Sequence, residues 1–146
     1  MIRKIIPSDR GEYIKMAEDF YSSDAVCHRI PSSNFESTFT ELMRSQVYAE
    51  AYVFEYRDKI AGYALLAKTF SQEAGGMVVW IEELYVKPEF RGHGLGQEFF
   101  EYLKDHLPKN TKRLRLEVTK GNQRAASFYR QLGFQDLPYC QMFLDV

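Results

Sequence analysis

The chain has 146 residues, the size of one globular domain. Its 45% hydrophobic and 15% aromatic content supplies a core and excludes a disordered chain. Lys and Arg total 19 and Asp and Glu total 20, and the resulting net charge of −1 argues against a general nucleic-acid binder.

Ile2 to Ile6 reads as a short first strand, stopped by Pro7-Ser8-Asp9, where Ser8 is the expected helix N-cap. Tyr13, Ala17, Phe20 and Tyr21 then recur at helical spacing. The period lapses from Ser22 to Pro31, which predicts a loop. Ser33-Asn34-Phe35-Glu36 has capping-box spacing, and Phe35, Phe39, Leu42 and Met43 continue it as a second amphipathic helix. Tyr52-Val53-Phe54 and Ile60 to Phe70 are β-rich runs around a polar turn, Arg57-Asp58-Lys59, which is a hairpin signal. A glycine loop, Gly75-Gly76, leads to a third run, Met77 to Val86, ended by Pro88. Leu95, Phe99, Leu103 and Leu107 mark a helix, and Leu114, Leu116 and Val118 alternate as a half-buried strand. A helix from about Gln123 to Gln131 has Asn122 as N-cap and Gly133 as its stop. Phe134 and the run Cys140 to Leu144 are expected to close the chain as strands. The order β-α-α-β-β-β-α-β-α-β-β is a mixed α/β domain, of α+β type, on one largely antiparallel sheet over residues 1–146.

Cys27 and Cys140 are too few for a disulfide framework or a zinc site, and read as free thiols. No His, Cys and acid cluster has ligand spacing, so no metal is expected. The start of the chain lacks a signal-type apolar core, and no stretch reaches the roughly 18 apolar residues of a membrane span. A cytoplasmic protein, away from membranes, is expected.

The most informative segment is Val86-Lys87-Pro88-Glu89-Phe90-Arg91-Gly92-His93-Gly94-Leu95-Gly96. A strand ends, glycines alternate, and a helix begins. Unpaired N–H groups and the positive helix end make such a turn an anion site. The spacing differs from the dinucleotide G-x-G-x-x-G, and a P-loop ending is absent. A plain strand-to-helix turn accounts for one glycine but leaves the other two and Arg91 without a reason.

Arg91-Gly92-His93-Gly94-Leu95-Gly96 resembles the Arg/Gln-x-x-Gly-x-Gly/Ala pattern of the GNAT N-acetyltransferase superfamily, and Glu82 to Val86 before it looks like that family's fourth strand. About 30 residues on, Asn122-Gln123-Arg124-Ala125-Ala126-Ser127-Phe128-Tyr129 with Leu132-Gly133-Phe134 is similar to its N-x-x-A-x-x-F-Y-x-x-L-G-F signature. The first 50 residues match only in pattern. The resemblance implies the acyl-CoA N-acyltransferase fold, with about four helices flanking the sheet. It implies that main-chain N–H groups of Arg91, Gly92, His93, Gly94, Leu95 and Gly96 cradle the CoA pyrophosphate, with Gln97 at the helix start. The Leu84–Tyr85–Val86 strand would pair with the pantetheine arm as an added strand in a slot opened by a bulge and splay. Asn122 would bond that arm, with Ala125 beside it, and Tyr129 would be an acid near the thioester sulfur.

Acyl transfer from acetyl-CoA to an amine sets three demands. An alkylamine of pKa roughly 10 must lose a proton, the oxyanion needs a fixed donor, and the leaving thiolate benefits from an acid. Glu82 and Glu83 are the base candidates. Adjacent strand residues face opposite ways, so one of them faces the acceptor. Counting back from Val86 puts Glu82 on the face of Leu84, where the resemblance implies an acid or histidine, and a bulge would reverse the parity in favour of Glu83. Both also read as surface or salt-bridged glutamates, and Tyr129 as a core aromatic beside Phe128. His93 reads as structural or near a CoA phosphate, and Arg124 as a solvated helix residue. His28 is a loop candidate for the acceptor site.

The acceptor pocket is expected from the helices and loop before Tyr48, with Glu12, Glu18, Asp19, Asp24, Glu36 and Glu41 among Tyr13, Phe20, Tyr21, Phe35 and Phe39. Acids and aromatics together suit a cationic amine, although the same residues also read as solvated faces and core. The strand Glu82-Glu83-Leu84-Tyr85-Val86 resembles diamine acetyltransferases, which points to a small amine such as a polyamine. A protein N-terminus or lysine as acceptor stays open, as does a non-catalytic acyl-CoA-binding module. Many members of the family dimerise, and a homodimer is compatible with this chain.

Overall fold

The alternating apolar stretches between residues 49 and 86 fold as three successive antiparallel strands. The computed structural model describes residues 1–146. Its elements are β1 (Ile2–Lys4), α1 (Arg10–Tyr21), α2 (Ser32–Arg44), β2 (Ala49–Tyr56), β3 (Lys59–Ser71), β4 (Gly76–Val86), α3 (Leu95–His106), β5 (Thr111–Leu116) and α4 (Gln123–Gln131). Short 3-10 turns at Pro7–Asp9 and Pro88–Phe90 lead into α1 and α3. The strands lie in chain order, β1-β2-β3-β4-β5. The first four are antiparallel, and β5 joins β4 in parallel. That parallel pair needs a crossover, which α3 supplies. The architecture is the expected mixed, mostly antiparallel sheet with four helices.

The polar turn between β2 and β3 is a two-residue connection, with Arg57 at φ 50° and Asp58 at φ 60°. Two consecutive positive φ values match the right-handed twist of a hairpin. Each sheet face carries its own core. Ile2, Tyr52, Phe54, Leu66, Val79 and Ile81 pack under Phe99 and Leu103 of α3. Tyr63 and Tyr85 pack under Tyr13, Met16, Phe35 and Phe39 of α1 and α2.

Three expectations are corrected. Ser8 does not cap α1. Asp9 takes that place in the chain, and its carboxylate instead accepts from the Ile6 N–H at 2.9 Å and from both Arg3 guanidinium nitrogens at 2.8 and 2.9 Å. The Ser33–Glu36 capping box does not form, because α2 begins two residues earlier, after Pro31, with no side-chain cap. The closing strands also do not form. Residues 134–146 take no sheet partner and are exposed from Gln135 onward. An apolar run specifies a strand only where an edge is within reach, and this one does not turn back to β5.

Gly62 fixes the closeness of β3 to β4. A Cβ there would lie 2.3 Å from the Tyr85 carbonyl oxygen and 2.9 Å from Phe54. Main chain cannot yield as a flexible side chain can, so Gly62→Ala is expected to destabilise by about 1–3 kcal/mol, the usual cost of overpacking. Urea unfolding midpoints of the two proteins measure this.

Candidate active site

The N–H of Lys87 donates to the Ala61 carbonyl at 2.9 Å. Antiparallel strands alternate bonded and non-bonded pairs, so Glu83 and Tyr85 spend their main-chain groups on β3. Leu84 and Val86, opposite Ala64 and Gly62, turn theirs to the other side. On that side β5 is no longer present, since its pairing with β4 stops at Ile81 and Leu116. The main chain of Leu84 and Val86 therefore lines an opening between two parted strands. The Val86 carbonyl accepts one bond there, from Arg91 Nε at 2.9 Å.

The glycine turn closes one end of this opening. Gly92 and Gly94 hold φ of 81° and 78°, which side-chain-bearing residues rarely adopt, and Gly94 is the N-cap of α3. No side chain caps the helix, and no main-chain N–H from Gly92 to Gln97 is bonded within the chain. Residues 91–94 are exposed, so this row of donors is open to an anion. Gly96 serves packing instead, with its Cβ position 3.2 Å from the Phe128 ring. The His93 ring lies 4.7 Å from that of Tyr56, and its Nδ1 lies 3.1 Å from the Phe90 carbonyl oxygen, a structural placement. The Gln97 amide donates to Glu101 at 3.0 Å.

Asn122 caps α4 as expected, its Oδ1 accepting from the Ala125 N–H at 3.2 Å. A cap of this kind is worth about 1 kcal/mol, and it leaves the Asn122 amide NH₂ unbonded. Tyr129 packs against Phe100, Phe128 and Phe134. Its hydroxyl makes no hydrogen bond within the chain, and the residue is among those lining a cavity with Leu116 and Val118. Burial pushes its pKa up to about 12. A phenol in that environment keeps its proton at neutral pH.

The two glutamates part company. The bulge in β4 falls at Glu82, because Leu65 pairs with Glu83 while Leu66 pairs with Ile81. Parity reverses there, and Ile81 and Leu84 both join the α3 core. Glu83 is turned beneath α1, 7% exposed, with its carboxylate accepting from the Tyr63 hydroxyl. Burial raises its pKa, the Tyr63 and Tyr21 hydroxyls draw it down, and the Glu82 charge raises it again. The net direction is up. Glu82 is exposed as a residue, yet its carboxyl lies against enough protein that burial first, and Glu117 second, raise its pKa as well. Glu82 is thus the accessible carboxylate at the fork of β4 and β5.

Tyr85 is not brought into the opening. Its side chain packs with Phe20 and Tyr63 on the opposite face, and its main chain pairs with Tyr63. The Leu95 side chain is likewise buried, which leaves only its N–H at the turn. Of the six acids expected around the acceptor, Glu12 pairs with Lys87 at 2.7 Å, Glu36 with Arg10, and Glu41 with Arg44 at 2.7 Å. Glu18, Asp19 and Asp24 form no ion pair. Tyr13, Phe20, Phe35 and Phe39 are core, and Tyr21 is half-buried beside Glu83. The loop after α1 crosses to the far side of the fork, where Thr119 donates to the Asp24 carbonyl at 3.2 Å. His28 on that loop is exposed, 6.2 Å from the Phe143 ring. Sequence reading missed Tyr63 and Glu117. The strand register that brings Tyr63 near Glu83 was the available signal for the first, and only the β4–β5 geometry reveals the second.

Residues 15–134 match the family model described as acetyltransferase (GNAT) family. The chain is similar to thialysine N-epsilon-acetyltransferase of Bos taurus, 38% identical over 79 residues, which cover 53% of this chain and 46% of that protein. The chain thus spans about half the length of that relative. It is also similar to the Mus musculus protein of the same name, 26% identical over 158 aligned positions, covering 99% of this chain and 89% of that one. In fold it is similar to the crystal structure of a possible acetyltransferase from Clostridium difficile 630, at a TM-score of 0.83 and 21% identity, covering 100% and 97% of the two chains.

The raised pKa of Glu83 has a consequence for stability. The folded state holds the proton more tightly than the unfolded state does, so ionisation costs stability as pH rises from the ordinary glutamate value, roughly 4.3, through the raised folded value. The stability of the wild type relative to Glu83→Gln is therefore expected to fall as pH rises across that window. Denaturation midpoints of both proteins at a series of pH values measure the slope.

Proposed function

Because the chain belongs to the acetyltransferase (GNAT) family, we propose that it transfers an acetyl group from acetyl-CoA to a primary amine of a small molecule, such as a polyamine, by direct attack in a ternary complex. One observation carries this reading. The unpaired main chain of Leu84 and Val86 faces a parted β4–β5 pair, and the free N–H row from Gly92 to Gln97 stands at its end. An extended, amide-bearing arm with a diphosphate at one end needs those two features together. The fit is one of donor type, and the Arg91 side chain on the Val86 carbonyl is the one group that must share or leave its place.

In this reading the N–H row holds the diphosphate, and Leu84 and Val86 bond the arm like an added strand, joined by the free Asn122 amide and bordered by Ala125. Arg91 is released from Val86 or shares that carbonyl. The Glu82 carboxylate takes a proton from the ammonium of the acceptor through a water. The amine nitrogen then forms a bond to the thioester carbonyl carbon, and the carbon–sulfur bond breaks. Tyr129 gives its proton to the departing sulfur, and the second proton of the attacking nitrogen, shed as the adduct collapses to the amide, returns to the Tyr129 oxygen. Glu83 is a positioning residue that holds Tyr63 and Tyr21 under the acceptor side. The unpaired acids Glu18, Asp19 and Asp24 favour a cation, and the small-amine names of the mammalian relatives support the same class. A free tyrosine hydroxyl together with an accessible, pKa-raised glutamate favours an enzyme over a binding module, which has use for neither.

Two variants test the assignment. Wild-type kcat/KM is expected to rise with pH through an acidic limb above the ordinary glutamate range, and Glu82→Gln is expected to lose that limb. An unchanged profile removes Glu82 from the mechanism. Tyr129→Phe is expected to lower kcat by roughly 10²–10⁴-fold, the usual worth of a positioned acid, with acetyl-CoA affinity kept. Thiol release against a panel of polyamines, thialysine, lysyl peptides and free peptide N-termini identifies the acceptor class, and the small amines are expected to turn over fastest.

A further inference from the structure

Trp80 is the chain's only tryptophan, and it belongs to neither core. Its neighbours Val79 and Ile81 pack under α3, so alternation turns the indole to the face of α1 and α2. The apolar layer under those helices does not include it, and its partner on β3 is the small Ala67. What lies on the ring is Arg115, directly opposite on β5, with its guanidinium 4.1 Å from the ring centroid. The quadrupole of an indole holds a cation in that place.

This arginine has no acid. Every other arginine of the chain either bonds a carboxylate or carbonyl oxygen or is exposed. Arg115 alone is half-buried with neither a hydrogen bond nor an ion pair. Stacking fixes the plane of a guanidinium and leaves the N–H groups on its rim free. A planar fork of that kind takes a carboxylate in two parallel bonds.

The fork stands beside the reacting end of the site. Glu117 follows Arg115 by two residues and is close enough to Glu82 to act on it as a like charge. Trp80 and Arg115 lie level, and Glu82 is two residues further along β4, a separation on the order of 7 Å along the strand. The fork of β4 and β5 thus presents two carboxylates, Glu82 and Glu117, and below them an unpaired guanidinium. A diamine would set its second ammonium against Arg115. A molecule with an ammonium at one end and a carboxylate several atoms away complements both ends.

We propose that the Arg115 guanidinium, held on the Trp80 ring, binds a carboxylate of the acceptor, and that the acceptor is an ω-amino acid. This rests on the reaction proposed above and narrows its acceptor from small amines to those carrying a carboxylate, which a polyamine lacks. Arg115 sets specificity and takes no part in the proton transfers.

ε-Aminocaproate and hexylamine differ only in the carboxylate. Wild-type kcat/KM is expected to be about 10–100-fold higher for ε-aminocaproate, the worth of a hydrogen bond to a charged group, with the difference carried by KM. In Arg115→Gln that ratio is expected to fall to near one, and Arg115→Lys, which keeps the charge without the fork, is expected to retain part of it. Arg115→Glu is expected to prefer cadaverine to ε-aminocaproate. Far-UV circular dichroism checks that each variant is folded. Equal kcat/KM for the two amines in the wild type overturns the proposal, as does a preference that survives in Arg115→Gln. Trp80 fluorescence reads the same subsite without turnover. With CoA present, ε-aminocaproate is expected to change the emission saturably, at a concentration about 10–100-fold below that needed for hexylamine. Should no amine release thiol, the reaction falls, and the fluorescence titration still decides on Arg115: equal affinities, or no response to ε-aminocaproate, overturn its assignment.

Discussion

Parallel pairing of β4 with β5 ends at Ile81 and Leu116, and every other feature of the site is arranged around that parting. A parallel ladder that continued would consume the main-chain groups of Leu84 and Val86. The bulge at Glu82 coincides with the parting, changing the register of β4 against β3 at the same level of the sheet. Beyond Leu116 the chain leans toward the α1–α2 loop, where the Thr119 contact to Asp24 holds it away from β4. The opening is thus built into the ladder on both sides, and does not depend on a mobile lid.

Two neighbouring carboxylates acquire different environments from this one irregularity. Without the bulge, strict alternation would have placed Ile81 on the face of Glu83 and Tyr85. With it, Ile81 and Leu84 share the α3 core, Glu83 enters the aromatic layer under α1, and Glu82 is left at the fork. For Glu83, burial outweighs two tyrosine hydroxyls, because hydrogen bonds stabilise the ionised form but do not replace the bulk water that it has lost. Glu82 keeps contact with solvent and feels Glu117 as a like charge. An exposed group with a raised pKa can exchange protons with solvent, whereas Glu83, buried and bonded to the Tyr63 hydroxyl, is largely sealed from it.

What the sequence disclosed was local. The three-glycine turn and the Asn122-to-Phe134 stretch each encode their own geometry within a few residues, and the α4 bounds, its cap and its Gly133 stop agree with the reading. Where a partner outside the window decides, the reading failed. Ser8 has the composition of a cap but lies inside the 3-10 turn Pro7–Asp9, and the Asp9 carboxylate that follows is held by Arg3, six residues back. Alternation along β4 separates Tyr85 from Leu84 and Val86, and its ring lies with Phe20 and Tyr63 instead. The apolar spacing of residues 140–144 is that of a strand, but a strand is a property of two segments, and these residues take no sheet partner.

The helix α3 joins the glycine turn to Tyr129. Its first turn presents the free N–H groups, and Gly96 in that turn meets the Phe128 ring, the residue before Tyr129. A side chain at 96 would push α4 away and move Tyr129 relative to the free N–H row. The third glycine of the motif therefore sets a distance between two helices, whereas Gly92 and Gly94 set a backbone conformation. Phe100, one turn further along α3, touches Phe128, Tyr129 and Phe134 together. The two signatures recognisable in the sequence are in this way two sides of one packed contact. Their spacing along the chain reflects the β5 crossing needed to bring α4 back against α3.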